Sequence, residues 1–162
     1  TLHAGGSGLE RKDEPMSNVK TILDGKPRGY LSVPLTAMVA EAVALMVDKG
    51  IGVVLVMDGS ALTGIFSERD FVRAAARRGM SALDAPIREI MTQPVQFVTP
   101  AESLEQCMAL MTEKHFRHLP VVSAGKVCGV VSMTDIVKEL IADQMHVIRG
   151  LENYITGRDQ QA

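Results

Sequence analysis

Two strings in the chain place a serine three residues before an aspartate: "GIFSERD" at 64–70 and "GVVSMTD" at 129–135. In each, a glycine and two apolar residues precede the serine, and a helix-forming run follows the aspartate. A hydroxyl at a helix start can donate to a phosphate oxygen, where free backbone N–H groups and partial positive charge already favour an anion. An aspartate beside it accepts two hydrogen bonds at once, which suits the vicinal hydroxyls of a ribose. Ser67 with Asp70, and Ser132 with Asp135, therefore outline a ribose-phosphate clamp. The same residue types also build the commonest helix N-cap, so a duplicated cap is the competing reading.

The elements that must position these residues form an internal repeat. Sliding the chain by 65 residues aligns 32–72 on 97–137 without a gap, and ten of the 41 positions are identical, among them Gly64/Gly129, Ser67/Ser132 and Asp70/Asp135. Upstream, "VKTILDGK" corresponds loosely to "IREIMTQP". Two copies are too few for a solenoid, so a pseudo-symmetric pair is expected.

Each copy reads strand, helix, strand, strand, helix. Apolar runs at Tyr30–Val33 and Val95–Val98 open the copies as strands. A helix follows, with Val39, Val43, Met46 and Val47 on one face in the first copy and Leu104, Met108 and Met111 in the second. Thr36 and Ser103 stand where N-caps belong, and Gly50 is a C-terminal stop. Two β-rich runs around a Gly-containing turn predict a hairpin, and a second helix starts after the aspartate. Met38, Met46, Met108 and Met111 read as core filler.

The bulk composition excludes several classes. A net charge of −2 does not suit nonspecific wrapping of nucleic acid, and 46% apolar residues allow a core. Arg73, Arg77 and Arg78 read as a solvated helix face near an acidic ligand rather than a nucleic-acid patch. No run of about 18 apolar residues predicts a membrane span. Cys107 and Cys128 read as buried reduced thiols of a cytoplasmic protein, and the histidines at 3, 115, 118 and 146 do not form a metal set. Residues 1–15 read as a flexible leader, 16–80 and 81–142 as the two repeats, and 143–162 as a C-terminal helix and tail.

The strings "IGVVLVMDGSALTGIFSERDFV" and "HFRHLPVVSAGKVCGVVSMTDIV", with "MTQPVQFVTPAESLEQCMALMTEKHFRHLPVV", resemble the CBS domain in its usual tandem pair, over about residues 19–141. The resemblance implies an α/β (α+β) fold of two packed β-α-β-β-α repeats. It also implies a regulatory, non-catalytic module that binds adenine nucleotides (AMP, ADP, ATP, NAD(H), in some relatives S-adenosylmethionine) in clefts between the repeats. Carried over residue by residue, it gives the ribose to Asp70 in one cleft and Asp135 in the other. Ser132 and Thr134 match the hydroxyl pair before the aspartate; in the first repeat Ser67 is kept and Arg69 replaces the second hydroxyl. Arg69 is then either a bidentate phosphate partner or a solvated helix-start residue. Adenine would lie against Thr92, Pro94, Phe116 and Arg117 in one cleft, and Gly29, Tyr30, Ile51 and Gly52 in the other. His118 stands where relatives place a basic phosphate contact, whereas the first repeat has Val53. Two non-equivalent clefts are expected.

Past the repeat, Leu140, Ile141, Met145, Ile148, Leu151 and Ile155 continue an apolar helical stripe. Such a stripe needs a partner surface, and relatives pair into discs of four repeats, so a homodimer is expected, with an effector protein receiving the signal. Two other readings stand beside this one. One is an enzyme using His115 or His118 as acid/base, which lacks a Walker or Rossmann glycine motif. The other is a ligand-independent structural dimerisation module.

Overall fold

The structure, a computed structural model, describes residues 16–27 and 29–157; the expected leader lies outside the described residues. The first repeat comprises β1 (Ser32–Pro34), α2 (Val39–Lys49), β2 (Val53–Asp58), β3 (Ala61–Ser67) and α3 (Glu68–Arg78). A short helix, α1 (Val19–Asp24), precedes it, and two 3₁₀ turns, Gly79–Asp84 and Ile87–Glu89, follow it. The second repeat comprises α4 (Leu104–Lys114), β4 (His118–Ser123), β5 (Lys126–Ser132) and α5 (Met133–Thr156).

In the first half β1 pairs parallel to β2, with Val33 opposite Val56, and β2 pairs antiparallel to β3. The second half has the antiparallel β4–β5 hairpin alone. The strand expected at Val95–Val98 contracts to one parallel bridge, Val98 to Val121. The repeat explains why. Leu35 N–H donates to Met57 O at 2.8 Å and continues the first ladder. Its counterpart 65 residues on is Pro100, which has no N–H to donate.

Helix ends follow the same logic of satisfying free backbone groups. Ser103 caps α4 by accepting from Gln106 N. Thr36, in contrast, does not cap α2, which begins at Val39 after Met38. There the Glu41 carboxylate accepts from Met38 N–H at 2.7 Å, and Ala85 O accepts from Val39 N–H at 2.9 Å. Met38 therefore sits at the helix boundary, 38% exposed, instead of filling the core. Val47 also leaves the expected face and is exposed, while Ala42 is buried in its stead.

Two apolar clusters hold the fold, and each is completed by a segment from outside its own repeat. Ala85, Ile87 and Met91 pack with Val39, Met46, Val54, Val56 and Phe66 of the first repeat. Val19 and Ile22 of α1 pack with Leu104, Cys107, Met111, Leu119, Val131 and Ile136 of the second. The segment preceding each repeat thus lies on the other one. This crossing accounts for the glycine in both strings. A Cβ on Gly64 would lie 2.3 Å from the Met91 Sδ, and one on Gly129 would lie 2.7 Å from the Leu23 Cδ2. Cys107 is buried as expected, but Cys128 is exposed, because on β5 it points away from the cluster that holds Val131.

Candidate ligand-binding clefts

Ser67 and Ser132 are the N-caps of α3 and α5, and both strings form capping boxes. Asp70 Oδ2 accepts from Ser67 N–H at 2.8 Å and from the Ser67 hydroxyl at 2.9 Å, while Ser67 Oγ accepts from Asp70 N–H at 3.3 Å. Asp135 Oδ2 likewise accepts from Ser132 N–H at 2.8 Å. The cap thus uses one carboxylate oxygen in each copy. The other oxygen of Asp70 points elsewhere: it accepts from the Thr92 hydroxyl at 2.9 Å.

Thr92 reaches Asp70 because the chain after the second 3₁₀ turn runs along β3, where Thr92 and Ile65 exchange backbone hydrogen bonds of 2.8 and 3.1 Å. Together they wall a cavity of about 260 Å³. Of the residues assigned to the first cleft, Ser67, Arg69, Asp70, Thr92, Phe116 and Arg117 line it, and His118 joins them. Pro94 is exposed and is not part of the lining. Gly52, assigned to the other cleft, borders both.

The first cavity is ringed by positive charge. Arg69, Arg73, Lys114 and Arg117 line it against two carboxylates, Glu68 and Asp70. The Arg69 guanidinium crosses to the second repeat, where Nη1 donates to His115 O at 2.9 Å. His115 ends α4 in the left-handed region at φ 58°, the position that Gly50 occupies after α2. A side chain there is strained, and it presents the carbonyl that Arg69 holds.

A second cavity of about 360 Å³ lies on the pseudo-symmetric side. Gly29, Tyr30, Ile51, Gly52 and Ser132 line it, and His118 borders both cavities. Thr134 is exposed and Asp135 half-buried, and neither is in the lining. What reaches Asp135 is Lys26, absent from the sequence-based assignment. Its Nζ donates to Asp135 Oδ2 at 2.7 Å and to Val130 O at 3.1 Å. The repeat held a signal for it, since Lys26 aligns with Pro94 in the upstream correspondence.

At the clefts two groups titrate away from their ordinary values. Burial alone would raise the Asp135 pKa, but the Lys26 ammonium and the Ser132 N–H outweigh it and hold the carboxyl below 3.8. His118, placed between the clefts, is pushed below 6.5 chiefly by burial, and the nearby Asp135 charge only partly offsets this. Burial therefore favours the neutral imidazole of His118 over its cation. Among the described residues no cluster of three His, Cys, Asp or Glu side chains could hold a metal ion.

Two pseudo-symmetric α+β halves, each completed by a segment from beside the other and each carrying a capped helix start at a cavity, define a tandem-repeat module. The chain belongs to the CBS domain family, whose domain matches residues 21–77 and 87–142. It is 32% identical over 124 residues to the CBS domain-containing protein CBSX3, mitochondrial, of Arabidopsis thaliana, covering 74% of this chain and 60% of that protein. A CBS-domain protein of Burkholderia ambifaria MC40-6 has the same fold with a TM-score of 0.75 at 44% identity, covering 79% of this chain and 96% of that one. The chain spans 60% and 62% of the length of two curated relatives it matches, and smaller shares of several others. Two ligand-bound structures share the fold at lower identity. CBSX2 in complex with AMP is 24% identical with a TM-score of 0.66, covering 78% of this chain and 98% of that one. A CBS domain pair in complex with 5′-methylthioadenosine and S-adenosyl-L-methionine is 23% identical with a TM-score of 0.69, covering 79% and 98%.

Proposed function

We propose that this protein is a non-catalytic regulatory module that binds adenine nucleotides of the AMP, ADP, ATP or NAD(H) class in two non-equivalent clefts and passes the ligand state to an effector protein. The observation that carries this reading is the split use of Asp70. One oxygen builds the helix start, and the other faces Thr92 in a cavity ringed by Arg69, Arg73, Lys114 and Arg117. In the first cleft, ribose hydroxyls take over the Thr92 side of Asp70, phosphates meet the cations, and the base lies by Phe116 and Thr92. In the second, Ser132 lines the cavity with Gly29, Tyr30, Ile51 and Gly52. Asp135 and Thr134, in the first turn of α5 beside that lining, are assigned to the ribose and phosphate. Relatives of this fold bind AMP and S-adenosyl-L-methionine, which supports an adenosine ligand.

The test is thermal unfolding of the full chain with AMP, ADP, ATP and NADH. A ligand at about 100 times its Kd adds about 2.7 kcal/mol of stability and raises Tm. Failure of all four at millimolar concentration sinks the reading. Mass spectrometry of nucleotide that copurifies would name the ligand.

A homodimer fits α5, which exposes Ile141, Ile148, Leu151 and Ile155 along its length. No described helix is long and apolar enough to cross a membrane, and two free thiols fit a reducing compartment such as the cytoplasm. The same α5 stripe favours a second reading, a ligand-independent dimerisation module. That reading requires Asp70→Ala and Asp135→Ala to leave every measured property except stability unchanged.

A further inference from the structure

The two aspartates of the repeat are held by different chemistry. Asp70 faces a neutral hydroxyl, that of Thr92, at 2.9 Å, whereas Asp135 faces the Lys26 ammonium at 2.7 Å. The Lys26–Asp135 pair is partly shielded, with side-chain exposures of 38% and 21%. Lys26 is also anchored a second time, to Val130 O. We propose that Lys26 is an internal competitor for the second cleft, so that the clefts fill in order, the first before the second, and Lys26 sets the gap between them. This inference rests on the nucleotide-binding reading above.

At Asp70 a ribose hydroxyl replaces one neutral hydroxyl hydrogen bond by another, an exchange with little net cost. At Asp135 the Lys26 ammonium holds Oδ2, the oxygen that also caps α5. A ribose there meets a carboxylate already neutralised by a charge-assisted hydrogen bond, roughly twice as strong as a neutral one. Taking Oδ2 as well would leave an ammonium ion to be resolvated. The phosphates see the same asymmetry. The first cleft offers four cationic side chains against two carboxylates. Among the described residues lining the second, Lys26 is the one permanent cation, and it is committed to Asp135. A phosphate therefore meets free positive charge in the first cleft. In the second it meets a pair already neutralised.

The experiment is calorimetric titration of AMP and ATP into the full chain, the Asp70→Ala variant, and Asp70→Ala combined with Lys26→Met, Lys26→Gln or Lys26→Arg. Methionine keeps the apolar stem of lysine without its charge. The native chain should show a tight site and a second one weaker by on the order of tenfold or more. Asp70→Ala should remove the tight site and leave the weak one. In that background Lys26→Met should tighten the weak site by on the order of tenfold, with Lys26→Gln acting likewise should the methionine variant fold poorly. Lys26→Arg, which keeps the charge, should leave it weak. The proposal is overturned if removing the charge leaves the second site unchanged or weakens it, since Lys26 would then be inert or a ligand contact. It is equally overturned if Asp135→Ala, and not Asp70→Ala, abolishes the tight site. Absence of nucleotide binding to every protein tested would instead overturn the nucleotide reading itself, and this inference with it.

Discussion

The Thr92 hydroxyl stands 2.9 Å from Asp70 Oδ1, while the opposite oxygen of the same carboxylate caps α3. Asp70 is a buried charged side chain, 9% exposed. Thr92→Val keeps the shape and deletes the donor, which leaves a buried carboxylate oxygen unpaired. The expected loss is about 1–3 kcal/mol, read from urea unfolding. An unchanged midpoint would show that water already serves that oxygen. Asp70→Asn should abolish nucleotide binding in the first cleft while keeping most of the cap, because an amide oxygen still accepts from Ser67 N–H.

Gly64→Ala and Gly129→Ala probe the crossing of the two halves. The added methyl would meet Met91 in one case and Leu23 in the other, at 2.3 and 2.7 Å. Gly64→Ala, against buried Met91, should cost about 1–3 kcal/mol by overpacking. Gly129→Ala should cost less, because one terminal methyl of the half-buried Leu23 can move aside. Combining Gly64→Ala with Met91→Ala should recover part of that loss, and strict additivity in the double-mutant cycle would refute the contact.

Acid should weaken the fold in two separate windows. His118 has a folded pKa below its ordinary 6.5, so the unfolded chain binds a proton more readily than the folded one. Stability is then lost as pH falls from about 6.5 toward the folded value. His118→Gln should flatten that limb of the stability profile. Asp135 has a folded pKa below 3.8; its stabilisation is present above that value and disappears as pH falls beneath it. Lys26→Met should shrink the second window and leave the first largely intact.

The thiols should react unequally. Burial, with the Glu102 charge second, raises the Cys107 pKa to about 11, so no useful thiolate fraction exists at neutral pH. Cys128 is exposed on β5, with its Sγ 3.4 Å from Val121 O. A disulfide reagent at pH 8 should titrate one thiol quickly in the native protein and the second after denaturation. Fast reaction of both would show that the second-repeat core opens readily.

If α5 pairs with a second copy, Ile148→Asp together with Leu151→Asp should convert a dimer to a monomer. The monomer should retain its far-ultraviolet spectrum, since both side chains are exposed in the isolated chain. Light scattering after size exclusion decides it. A native chain that is already monomeric removes the homodimer from the proposed function.

Much of this was legible without coordinates. The 65-residue repeat, the hairpins and the capped helices that follow Ser67 and Ser132 are local consequences of periodicity, turn chemistry and end-group satisfaction, and these act over a few residues. The spacing of serine and aspartate was equally visible, but its role was divided between a cap and a clamp. One oxygen of Asp70 is used for the first, and the other faces the cavity, where it accepts from the Thr92 hydroxyl that packing brings beside it.

What the tertiary structure decided are the relationships between the copies. The ladder that stops at Pro100, the helix start that moves from Thr36 to Met38, and the exposure of Val47 and Cys128 all depend on which distant backbone or side chain lies opposite. So does the pairing of Lys26 with Asp135, 109 residues apart. Periodicity shows that a residue faces inward or outward, but it carries no information about which of two equivalent cores receives it. By itself the sequence determined two like halves with two like motifs. Packing each preceding segment onto the opposite half made the clefts unlike, because one aspartate received a hydroxyl and the other an ammonium ion.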